Sequence, residues 1–92
     1  MASFTTLIKI HDEKTGDYYT LHDEMKRRGF TRTIKGSDAV YKLPDATYNF
    51  VGETDEQAVY DKAMQAVTAL GRTAGIMVIK SAGRVIGGLL TA

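Results

Sequence analysis

A chain of 92 residues has room for one small hydrophobic core and not for two, so a single domain spanning 1–92 is expected. An apolar fraction of 43%, a charged fraction of 25%, a net charge of +1 and no cysteine describe an ordinary globular domain; they exclude low-complexity disorder, disulfide frameworks, cysteine zinc sites and thiol catalysis. No apolar run approaches the ~18–20 residues of a membrane span, and the first residues lack the basic-then-apolar pattern of a secretory leader, so neither is expected.

Phe4 to Ile10 alternates as a strand does, with Phe4, Thr6, Ile8 and Ile10 on one side and Ser3, Thr5, Leu7 and Lys9 on the other. The polar stretch His11 to Gly16 reads as a loop, and Asp17 is placed to cap the next element. Tyr18, Leu21, His22 and Met25 recur at helical spacing, Lys26, Arg27 and Arg28 complement the helix dipole in the last turn, and Gly29 is the stop. Phe30 to Lys35 and Ala39 to Leu43 flank Gly36-Ser37-Asp38 as a hairpin, with Pro44 ending the second arm. Ala46 to Val51 reads as a further strand. Thr54-Asp55-Glu56-Gln57 has the spacing of a capping box, and Val59, Ala63, Ala66, Val67 and Leu70 form one helical face closed by Gly71. Ile76 to Ile79 is a short apolar strand, Ser81 to Arg84 turns, and Val85-Ile86 is placed to pair back. Met25, Met64 and Met77 fit core spacing. The order predicts an α+β domain of the ferredoxin-like split βαβ kind: an antiparallel sheet with two helices on one face.

The near-zero charge is a cancellation. Residues 1–25 sum to −3, 26–42 to +5, 43–61 to −5 and 62–92 to +4. Blocks of this kind are what a partner feels, whatever the total. The basic block holds Lys26, Arg27, Arg28, Arg32, Lys35 and Lys42, with Tyr41 as an aromatic face among them. Clustered cations attract phosphate through counterion release, and arginine adds bidentate contacts. The acids Asp45, Glu53, Asp55, Glu56 and Asp61 suit the start of the second helix or a basic protein groove. His11-Asp12-Glu13 and His22-Asp23-Glu24 invite a metal reading, but neighbours at i+1 and i+2 do not share a helix face and no metal-ligand spacing occurs. The glycines at 83, 87 and 88 precede no helix start, so they read as turns and not as a phosphate cradle.

Several stretches carry a resemblance: Phe4-Thr5-Thr6-Leu7-Ile8-Lys9-Ile10-His11, Tyr19-Thr20-Leu21-His22, Arg28-Gly29-Phe30-Thr31-Arg32-Thr33-Ile34, Tyr41-Lys42-Leu43-Pro44 and Ala46-Thr47-Tyr48-Asn49. They resemble small prophage and plasmid proteins grouped with the GhoS-type antitoxins. That resemblance implies the ferredoxin-like fold of the small CRISPR-associated nucleases and a metal-dependent endoribonuclease activity. The position it carries over is Asp12, after the first strand, and no clear second acid accompanies it. In length, predicted fold and segregated charge the whole chain is also similar to phage-encoded anti-CRISPR inhibitors of the type I-F surveillance complex. This second similarity implies a protein of the host bacterial cytoplasm that needs no cofactor, docks on Cas subunits and guide RNA, and blocks target DNA binding without catalysis. Lys26, Arg27, Arg28, Arg32 and Lys35 are then the expected contacts to RNA backbone or to an acidic protein surface. Exposed edges of such a sheet also allow a homodimer.

Overall fold

The alternation at the N-terminus becomes the middle of the sheet. The computed structural model describes residues 2–35, 38–44, 46–83 and 87–91. Its elements run β1 (Ala2–Ile10), α1 (Asp17–Arg27), β2 (Thr33–Lys35), β3 (Val40–Lys42), β4 (Thr47–Gly52), α2 (Glu56–Ala69) and β5 (Ala74–Lys80). β1 lies between β4 and β5, antiparallel to both, with Leu7 opposite Thr47 on one side and Met77 on the other. Phe4, Thr6, Ile8 and Ile10 are buried, while Leu7 and Lys9 face solvent. The fold is therefore α+β: two helices packed on a three-stranded antiparallel sheet, with β2 and β3 forming a small separate hairpin.

Both helices add to the core on the covered face. α1 contributes Leu21 and Met25, α2 contributes Val59, Ala63, Ala66 and Val67, and Tyr48 of β4 and Phe30 complete it. Each large apolar side chain sealed in this way contributes roughly 1.5–3 kcal/mol. Small residues at Ala63 and Ala66 let α2 sit close to its neighbours. Gly29 ends α1 at φ 91°, a backbone conformation that favours glycine, and a Cβ there would stand 3.2 Å from the Phe50 ring, which would have to give by a few tenths of an ångström.

The local differences from expectation have local causes. Gly16, at φ 90°, occupies the N-cap of α1, and Asp17 is the first helical residue; its carboxylate accepts from the Lys14 N–H and pairs with Arg72 at 3.2 Å. At α2 the cap moves by one residue: Asp55, not Thr54, accepts from the Ala58 N–H, and Gln57 donates to Asp61 instead of reaching back. The expected strand from Phe30 to Lys35 shortens to Thr33–Lys35, because Phe30 turns into the core and Thr31 pairs with Asn49 of β4. Met25 is buried, but Met77 is 58% exposed, because β5 is covered on one face only. Gly36, Ser37, Asp45, the end of the expected turn at Arg84 and the expected return strand at Val85 and Ile86 lie outside the described residues. Beyond that segment, the Leu90 carbonyl accepts from the Lys42 N–H and Thr91 bridges Tyr41, so the described end of the chain meets β3.

Three substitutions test this packing and the α2 cap by urea unfolding. Thr6 is fully buried, and its Oγ1 has no hydrogen-bond partner among the described residues. Thr6→Val is expected to raise stability by about 1 kcal/mol, since an unpaired buried hydroxyl costs free energy that a methyl does not; a loss would contradict that environment. Asp55→Ala is expected to cost about 1 kcal/mol, and Thr54→Ala clearly less. The reverse order would return the cap to Thr54.

Candidate nucleic-acid interface

The flanks of α1 organise the polar surface. Tyr18, Leu21 and Met25 form its inner stripe. At 3.6 residues per turn, Tyr19, His22 and Lys26 align along one flank and Glu24 and Arg28 along the other. Tyr19 is 80% exposed, and its ring stands at 82° to the His22 imidazole with centroids 6.5 Å apart. A 2.6 Å hydrogen bond joins His22 Nδ1 to the hydroxyl of Tyr48, tying α1 to β4. Burial pushes the Tyr48 hydroxyl well above its ordinary pKa, with the charge of Arg32 opposing, so it stays neutral.

A groove of about 990 Å³ opens beside this flank. It arises because β4 starts at Thr47 while β1 runs on to Ile10. Beyond that point Ala46 turns at φ 60°, its carbonyl accepts from the Ile8 N–H, and Tyr18 Oη accepts from the Ile10 N–H in place of a strand neighbour. Leu7, Ile76 and Met77 line the apolar part, Tyr18, Tyr19 and His22 the aromatic part, and Arg32 and the Lys9–Glu13 pair the polar part. Lys9 and Glu13 stand 2.6 Å apart, and this contact holds the Lys9 ammonium above its usual pKa.

The five predicted contact cations do not gather into one cluster. Arg28 is half-buried and donates to both the side chain and the carbonyl of Glu24, at 2.8 and 3.0 Å. Arg27 is exposed and stands 3.4 Å from the same carboxylate. Lys26 is exposed on the tyrosine flank. Arg32 precedes β2, not lying within it, and lines the groove. Lys35 and Lys42 share the exposed face of the hairpin, since Thr33 pairs with Lys42 and Lys35 with Val40. Tyr41 is half-buried on the other face, its hydroxyl donating to Asp38, a contact that raises its pKa. Nothing in the charge pattern singles out Tyr19; its signal is an aromatic residue just outside the inner stripe of an amphipathic helix.

The two His-Asp-Glu tripeptides disperse. His11 bonds Thr73, Glu13 takes Lys9, His22 takes Tyr48 and Glu24 takes the arginines. Asp12 is exposed in the turn after β1 at φ 51°, a conformation that aspartate tolerates better than most residues. Among the described residues no three histidine or acidic side chains are grouped to hold a metal, and no helix is long and apolar enough to cross a membrane.

The Arg28 hydrogen bond, before any other cause, holds the Glu24 carboxyl below its usual range. A lowered folded-state pKa contributes stability that is present above the ordinary carboxylate pKa and fades as the pH falls through the folded value. Glu24→Gln is therefore expected to lower the urea midpoint at neutral pH and to match the parent in strong acid. Equal midpoints at every pH would remove the pair from the stability of α1. No family model, curated protein or solved structure matches this chain.

Proposed function

We propose that the protein works by docking on a ribonucleoprotein, as an inhibitor of the type I-F CRISPR surveillance complex, and that it blocks target DNA binding without catalysing a reaction. The carrying observation is the state of the exposed cations. Lys26, Lys35 and Lys42 are exposed on α1 and the hairpin, and none has an ion pair among the described residues. Lysines without acid partners can each neutralise a phosphate, and release of the cations condensed on the nucleic acid then drives binding. The acids of the α2 start, Glu53, Asp55 and Glu56, are exposed as a separate group able to meet a basic protein surface.

The fold belongs to the same proposal. Read as an extension of the sheet, the Thr31–Asn49 bridge carries the hairpin onto the free side of β4. The order β5-β1-β4-β2 that results is that of a ferredoxin-like domain, with both helices on the face opposite Leu7 and Met77.

The test is binding of the purified surveillance complex, and of its guide RNA alone, at several salt concentrations. Lys26→Glu combined with Lys35→Glu is expected to weaken binding at least about tenfold and to lower the salt slope by about two, one for each phosphate contact removed. Unchanged affinity and slope overturn the assignment. Shortening of the RNA in Mg²⁺, abolished by Asp12→Asn, would favour the metal-dependent endoribonuclease reading instead.

A further inference from the structure

We infer that the groove beside α1 receives an unpaired base of an RNA strand, whose backbone leaves along the Tyr19–His22–Lys26 flank. The inference rests on the docking reading above and names the part of the partner that this site takes. Four observations carry it. The groove, at about 990 Å³, is large enough for a nucleotide unit. Ile76, on the helix side of the sheet, gives its lining an apolar surface for a flat ring, while Leu7 and Met77 line the part that opens on the other face. Tyr19 offers an aromatic face that the protein leaves 80% exposed, beside an imidazole set nearly perpendicular to it. Such a face stacks on any base, because every base has a π surface.

The fourth observation gives the strand a direction. At one rim Lys9 is matched by Glu13, so that side offers phosphate no net charge. On the α1 side, Lys26 follows His22 by one helical turn on the same flank and has no acid partner among the described residues. A base seated against Tyr19 has Lys26 within the next turns of the same flank for its phosphate, and Arg32 as a cation of the groove lining. Tyr18 adds a donor: its oxygen already accepts from the Ile10 N–H, which leaves the hydroxyl proton for a base edge. A duplex cannot use the site, since its bases are stacked and paired. A guide strand awaiting its target presents such bases.

The experiment is fluorescence anisotropy with a labelled single-stranded RNA ten-mer, a duplex of the same sequence and an abasic strand of the same length. Tyr19→Ala, Tyr19→Phe and Lys26→Glu are compared with the parent. Tyr19 is exposed, so its removal leaves the fold intact, as circular dichroism will verify. Tyr19→Ala is expected to weaken single-strand binding about five- to a hundredfold, Tyr19→Phe to retain it, and neither to alter binding of the abasic strand or the duplex. If Lys26→Glu weakens the single strand while Tyr19→Ala does not, the base site is wrong and the docking reading stands. If the parent binds the single strand no better than the abasic strand, the base site is again wrong. If the parent binds no RNA, free or within the surveillance complex, the docking reading falls and the base site with it.

Discussion

The whole arrangement depends on β1 holding one register against two neighbours at once. Its even residues from Phe4 to Ile10 must face the helices, while its odd residues pair with β5, as the flanking bonds from His11 N–H to Thr73 and from Ser81 N–H to Ser3 show. A slip of one residue against either neighbour would exchange Ile8 for Lys9 in the core, so the burial pattern forbids it. The same strand outruns β4 by three residues, Ile8 to Ile10. That surplus is the physical origin of the groove. The backbone groups it leaves without a strand neighbour are met by Ala46 and Tyr18, and the opening between them is what the tyrosine flank of α1 borders.

Charge is handled by the same helix. Glu24 lies one turn from Arg28 and within reach of Arg27, so a single carboxylate engages two of the three cations at the end of α1. Without that acid, the end of the helix would present a uniformly basic surface. With it, the available positive charge shifts to Lys26 on one flank and to the hairpin lysines beyond. A part-buried pair of this kind adds modestly to stability; it also decides where the field of the basic block emerges. The block sum of +5 thus becomes a narrower surface than the sequence order suggests.

Elements with a strong period were legible in the sequence. The two-residue alternation of β1, the α2 face at Val59, Ala63, Ala66 and Val67 with Leu70 partly buried beside it, and Tyr18, Leu21 and Met25 of α1 emerge as read, because burial follows period; His22, read into the α1 stripe, sits half-buried on its flank, bonded to Tyr48. The caps were misplaced by one residue, since Thr54 and Asp55 are both good caps and the choice depends on how the chain enters from β4. Met77 could not be told from a core residue, because an apolar run in a strand does not say which face is covered. The basic residues were legible as a group, and their division was not: pairing with Glu24, lining the groove and sitting on the hairpin are decided by which flank of α1 each occupies and by where β2 begins. The groove itself left no trace in the sequence. It follows from the unequal ends of two strands that meet only in three dimensions.

The placement of the two histidines bears on what kind of activity this surface serves. His11 fastens the end of β1 to Thr73, and His22 fastens α1 to Tyr48. Each imidazole therefore spends a ring nitrogen on holding elements together, and the tyrosine that meets His22 is kept neutral by its burial. A bond at one ring nitrogen fixes the orientation of the whole imidazole. The His22 bond also ties the flank of α1 to β4. His22 is itself part of the groove lining, so this bond connects the groove to the core through Tyr48. A groove, an exposed aromatic face beside it and a cation on the same helix flank are what the proposed recognition by stacking requires; the strand that builds the core supplies the first and α1 the other two.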